Sequence, residues 1–275
     1  MNAIMAPIKR HPLATFFVLA YALSWWGWVI GTLAPASAPY VPYPFFTPGP
    51  LLAALIVLAT TTGRAGLRAL AASMLKWRVG WRWYVVALGI PLAVMLCAVA
   101  LNVMFGAPAP SLAQLSPFSM PVLVFVLRLI DPLDGPLAEE PGWRGFALPR
   151  LQAGRSPLVA ALILGLLTSG WHLPLLTVGA SPIELLAPIA LAIVASWIYN
   201  RTSGSVLMTL VLHAADGIIQ YEALGFAGAD AARIILLYVA MWWVAVLGVV
   251  VFDWGAWRLR GPVAPAPVRA MPDVS

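Results

Sequence analysis

The chain has 275 residues, 62% of them hydrophobic and only 9% charged, and its mean hydropathy is +0.91. A water-soluble domain carries about 25% charged residues, so most of this surface is not solvated by water and the sequence reads as an integral membrane protein. The net charge of +6 is accounted for by membrane topology and calls for no nucleic-acid partner, while the single Cys97 excludes an intramolecular disulfide and a Cys-rich metal site.

In chain order, residues 1–11 form a short cytoplasmic segment, 12–255 a transmembrane helical domain and 256–275 a disordered cytoplasmic tail. The stretch "IKRHPLATFFVLAYALSWWGWVIGTLAPASA" has the basic start and small-residue end of a signal peptide. Its apolar part exceeds the h-region of about 7–15 residues, so it is the first span. Apolar runs suited to crossing a bilayer, which takes about 20 residues, lie near 12–35, 49–63, 83–105, 119–138, 157–178, 184–200, 204–221 and 232–252. The second, sixth and seventh are short.

The connections test that count, because cytoplasmic loops carry the excess Lys and Arg. With the N-terminus inside, the inner segments hold Lys9 and Arg10; Arg64, Arg68, Lys76, Arg78 and Arg82; Arg144, Arg150 and Arg155; Arg201; and Arg258, Arg260 and Arg269. That is fourteen of the sixteen cations. Only Arg233 is left outside and Arg128 within a span, so both termini are expected in the cytoplasm and the protein in the plasma or inner membrane.

Charge at membrane depth is costly, on the order of 2.5–3.5 kcal/mol for an unpaired Asp, Arg or Lys. The residues placed there are Arg128, Asp131, Asp134, Glu139, Glu140, Arg144, His172, His213 and Asp216. Helical spacing pairs Arg128 with Asp131 and Glu140 with Arg144. Glu139, pointing about 100° away from Glu140, has no local cation. His172 and His213 likewise lack local partners, so the three are expected to meet. The segment "DPLDGPLAEEPG" breaks a continuous helix at Pro132, Gly135, Pro136, Pro141 and Gly142. Irregular backbone at depth is tolerated where protein buries it or where it lines a watery cavity.

A carboxylate and two imidazoles in such a cavity form a hydrolytic constellation. No HExxH zinc pair, GxGD aspartate motif or GxSG serine motif is present, and Ser169 with His213 offers only a bare dyad. Non-hydrolytic readings are a scaffold or immunity factor binding a membrane peptide, and a proton-coupled transporter.

Three segments, "EEPGWRGFALPRLQ", "SGWHLPLL" and "YNRTSGSVLMTLVLHAADG", resemble the motif regions of the CPBP family of intramembrane proteases. That family is also called Abi or CAAX-protease-like, and it includes the type II CAAX prenyl endopeptidases. The resemblance covers roughly residues 130–217, within a protease core of about 117–221. It implies an all-α membrane fold with about eight transmembrane helices around a polar catalytic cavity open toward the cytoplasm. It further implies that Glu139 is the base that activates water, that Glu140 and Arg144 complete EExxxR, and that His172 and His213 are the second and third motif histidines. Two positions depart from the pattern: Thr168 stands where an aromatic is expected, and Gly217 where an Asn is expected, with Asp216 one place early. At i+3 from His213, Asp216 can reach the same cavity as a protonated donor, as a charge orienting His213, or as a solvated residue with no role.

The expected activity is hydrolysis of a peptide bond in a membrane-associated protein or peptide. No cofactor is expected; the alternative is one zinc held by Glu139, His172 and His213 with an open fourth position. The expected partners are that substrate and the lipid bilayer.

Overall fold

The computed structural model describes residues 2–42, 44–111 and 119–258, and among them no strand occurs. The elements in order are α1 (Asn2–Arg10), α2 (Pro12–Leu33), α3 (Gly49–Thr61), α4 (Gly63–Met74), α5 (Trp81–Met104), α6 (Ser119–Ile130), α7 (Gly135–Glu140), a π-helical stretch (Pro141–Ala147) and α8 (Leu148–Gln152). They are followed by α9 (Pro157–Trp171), α10 (Leu186–Arg201), α11 (Val206–Asp216), α12 (Gly228–Phe252) and α13 (Trp254–Arg258).

All eight apolar segments fold as helices, but unequally. Five are long and apolar enough to cross a membrane: α2, α5, α9 with its 3₁₀ extension to Val178, α10 with the 3₁₀ turn from Pro182, and α12. The helices α3, α6 and α11 have 13, 12 and 11 residues. At 1.5 Å per residue each is about 16–20 Å long, short of a hydrocarbon core of about 30 Å. The protein is thus an all-α, multi-pass membrane protein in which five helices, by length, are full crossings. Leu33, Leu96, Leu166 and Leu247 are among the large apolar side chains left exposed, as a lipid-facing surface requires.

The fourth segment departs from the continuous span expected over 119–138. Helix α6 stops at Ile130 and the chain turns through 131–134, because Pro132 disfavours helical backbone at Asp131. Asp134 restarts the helix by accepting from the Gly135 N–H at 2.6 Å. Pro141 then opens the π-helical stretch, a form frequently found at functional sites.

Two apolar clusters flank this broken segment. One joins Phe16, Trp143, Phe146 and Trp171 across α2, α3, the π stretch and α9. The other joins Ile193, Met208, Leu212 and Trp242 across α5, α10, α11 and α12. The first requires a glycine at 142, where a Cβ would lie 2.5 Å from the Pro50 carbonyl oxygen, so α3 rests directly on the π-helical backbone.

The basic connections gather at one end of the bundle, as the charge pattern expects. Lys76 Nζ donates to the Ser203 carbonyl at 2.8 Å, and Arg201 pairs with Asp253. The expected tail lies outside the described residues from 259 onward. Its first three residues, 256–258, belong instead to α13, where Trp257 is buried.

Candidate active site

Helix α7, the π stretch, the C-terminal cap of α9 and helix α11 carry the six residues nominated for the site. A cavity of about 130 Å³ is lined by Glu139, Arg144, Thr168, His172, His213 and Asp216, and by Ala187, Pro188 and Leu191 of α10. Five of the six nominated residues thus share one space large enough for several waters. The sixth, Glu140, is fully buried behind it.

The adjacent glutamates have opposite surroundings. Glu140 Oε1 accepts from Arg144 Nη1 at 2.7 Å, the pair expected from i,i+4 spacing, and from His213 Nδ1 at 2.9 Å. Its charge is therefore matched from two sides. Glu139 has no cation; its Oε2 accepts from the Trp143 indole at 3.1 Å. Its Oε1 faces the backbone of Gly135, where an added Cβ would meet Glu139 Oε1 at 3.0 Å and His213 Nε2 at 3.6 Å. Glycine at 135 keeps the space between those two atoms open.

Each histidine has one ring nitrogen assigned by its partner. His172 Nδ1 lies 2.8 Å from the Thr168 carbonyl, which can only accept, so Nδ1 carries the proton and Nε2 of the neutral ring is an acceptor. His213 spends its Nδ1–H on the Glu140 carboxylate, so Nε2 can donate only when the ring is an imidazolium.

The departure at Thr168 costs less ring packing than the sequence suggests. His172 is met edge-on by Trp171 at 4.9 Å and by Phe45 at 6.0 Å, so aromatic contact comes from the next residue and from a loop far away in sequence. Asp216 lines the same cavity, and its Oδ1 accepts from Tyr238 of α12 at 2.7 Å. Arg128 is the clear correction: it pairs with Asp134 at 3.3 Å, while Asp131, the expected i+3 partner, caps the Leu133 N–H. The helix break rotates Asp134 back toward α6. Ser169, the possible nucleophile, donates its hydroxyl to the Leu185 carbonyl at 2.6 Å and does not line the cavity.

Sequence reasoning missed Trp143, Tyr238 and Phe45. Only Trp143, at i+4 from Glu139, left a local signal. Among the described residues no three His, Cys, Asp or Glu side chains are grouped to hold a metal ion. Glu139, His172 and His213 have acceptors of the right chemistry, and closing them on zinc would need side-chain rearrangement.

Residues 117–219, which contain all the residues that line the cavity, match the family model described as "Type II CAAX prenyl endopeptidase Rce1-like". The motif-bearing segment is thus similar to that family model. A curated relative, CAAX prenyl protease 2 of Methanococcus maripaludis, is 29% identical over a region that covers 44% of this chain and 49% of the relative. The alignment spans about half the length of that protein. The matched segment begins before α6 and ends just after α11, so α1 to α5, α12 and α13 lie outside it.

Proposed function

We propose that this chain is an intramembrane endopeptidase that hydrolyses a peptide bond of a membrane-associated protein, with Glu139 as general base. The supporting observation is the asymmetry of the two glutamates, because Glu140 is paired through its Oε1 with Arg144 and His213, while Glu139 lines the cavity and its Oε1 faces the space beside Gly135 and His213 Nε2. A water donating one proton toward Glu139 Oε1 and the other toward His172 Nε2 has its lone pair directed at a carbonyl placed in the cavity. Its oxygen bonds to the carbonyl carbon, the carbonyl electron pair moves to oxygen, and Glu139 takes the proton. The His213 imidazolium, balanced by Glu140, donates from Nε2 to that oxyanion. The C–N bond then breaks, and Glu139 passes its proton to the leaving amine. General-base and oxyanion effects of this kind are worth about 10²–10⁴ and 10²–10³ in rate.

The substrate class follows from the relative's name, and so we assign a CAAX-type, prenylated C-terminal peptide as the first to test. Purified full-length protein in liposomes would be offered a farnesylated, quenched-fluorescent CAAX peptide. Mass spectrometry of membrane peptides from cells with and without the gene would identify native substrates. Cleavage that vanishes in Glu139→Gln supports the reading, and no cleavage of any membrane peptide removes it.

Chelation separates the metal-free route from the zinc alternative. Activity should survive a strong zinc chelator, and one stoichiometric zinc whose removal and return switch activity off and on would overturn that route. For orientation we propose cytoplasmic termini, with reporters at Gly154 and Ser203 inside and at Gly106 and Ser181 outside. The Thr168 and Gly217 departures favour the second reading, a non-catalytic scaffold. That reading gains if Glu139→Gln folds, reaches the membrane and keeps the cellular phenotype.

A further inference from the structure

The position at which the sequence departs most from its family is filled from another helix. Gly217 follows α11, one turn on from His213, and carries no side chain. A Cβ built there would lie 2.4 Å from Arg128 Cζ, 2.5 Å from Nε and 2.8 Å from Nη1. The Arg128 guanidinium, reaching across from α6, therefore occupies the volume that a side chain at 217 would use. Its electrostatic influence reaches both His213 and Asp216.

Arg128 is only partly spoken for. Nη1 is held loosely by Asp134, at 3.3 and 3.4 Å from the two oxygens. Nε is buried and has no hydrogen-bond partner. A buried N–H left unmade on a cation costs more than one on a neutral group. An arginine kept at this depth with a donor to spare, next to a histidine assigned to the oxyanion, has the charge and donors that a developing negative oxygen needs.

We infer that Arg128, in the volume that a side chain at position 217 would fill, stabilises the transition-state oxyanion together with His213. The inference rests on the peptidase reading above and adds a residue to it. It also gives a reason for glycine at 217, since any larger residue would drive the guanidinium away. The bonds made and broken are those already described; Arg128 contributes charge and N–H donors and exchanges no proton.

The test is a double-mutant cycle on the full-length protein in liposomes, with the farnesylated CAAX peptide as probe. Arg128→Ala should lower kcat by about 10²-fold with KM nearly unchanged, in the range seen for loss of one oxyanion donor. Gly217→Asn alone should also lower kcat, by displacing the guanidinium. In the Arg128→Ala background the same Gly217→Asn should raise kcat by about tenfold, because the amide then has both the space and the role. That reversal of sign is something a structural ion pair would not produce. Asp134→Asn, which can still cap α7, should keep most activity. If Arg128→Ala does not fold, Arg128→Gln carries the test, with a loss of about tenfold expected from removing charge at similar length.

An active, Glu139-dependent wild type whose kcat survives Arg128→Ala, or a Gly217→Asn change that fails to rescue, overturns this inference and leaves the peptidase reading standing. A wild type that cleaves nothing overturns both.

Discussion

Two carboxylates in this protein are held in nearly the same way and to different ends. At the basic end of the bundle, Asp253 accepts from Arg201 Nε at 2.6 Å and from the Trp197 indole at 2.7 Å. At the centre, Glu140 accepts from Arg144 at 2.7 Å and from the His213 imidazole at 2.9 Å. An arginine and a ring N–H converge on one carboxylate in both. The Arg201 and Asp253 side chains are 40% and 22% exposed, whereas those of Arg144 and Glu140 are 2% and 0% exposed. Water screens the first, so little depends on it. The second has no such screening and adjoins a cavity with another carboxylate, Glu139, that lacks a cation. Paired charge is therefore a poor marker of a site; an unmatched carboxylate beside it is a better one.

The sharpest way to break this comparison is to change the two central glutamates separately. Glu139→Gln should reduce turnover by about 10²–10⁴-fold, the worth of a general base, with unchanged yield of folded protein. Equal loss from Glu140→Gln with full retention in Glu139→Gln, measured on the same peptide, would reverse the roles. Glu140→Gln should act mainly on the fold. It strands the Arg144 guanidinium, and breaking one partner of a buried pair costs about 3–5 kcal/mol. Its signature is a lowered thermal midpoint in detergent.

Gly135→Ala comes next. The new methyl would press on Glu139 Oε1 at 3.0 Å and come within 3.6 Å of His213 Nε2, so activity should fall while thermal stability changes little. For Asp216, the Asn variant can still accept from Tyr238 and should keep most activity. Asp216→Ala leaves that hydroxyl stranded and should cost about 1–3 kcal/mol of stability.

The smallest effect belongs to the outer pair. Arg201, by its hydrogen bond, holds the Asp253 carboxyl below the usual carboxylate range. A lowered folded value means that this contribution is fully present above the unfolded pKa of about 4 and lost as pH falls through the folded value. Asp253→Asn should therefore shift the midpoint slightly at neutral pH, by no more than about 1 kcal/mol, and not at all in strong acid.

Much of this was legible in the sequence for physical reasons. Apolar run length located the five helices long enough to cross a membrane, and i,i+4 spacing gave the Glu140–Arg144 pair, since both depend on local geometry alone. The clustering of Glu139, His172 and His213 followed from the cost of lone polar groups at depth. What stayed hidden depends on tertiary packing. Tyr238 reaches Asp216 from α12, Phe45 reaches His172 from a loop, and the turn at 131–134 exchanges one arginine partner for another. No spacing rule encodes those encounters.

The seating of α3 on the π-helical stretch has a consequence for the lipid. With 13 residues, α3 is about 20 Å long, roughly 10 Å less than the hydrocarbon core. Its Leu55 and Ile56 are exposed, and thinning of the bilayer is one way to match so short a helix, at a cost that grows with each ångström of mismatch. Through the Pro50–Gly142 contact, that strain bears on the backbone next to Glu139 and Trp143. Acyl-chain length thus becomes a variable of the active site: turnover should be highest in vesicles of short-chain phosphatidylcholine and decline as the chains lengthen.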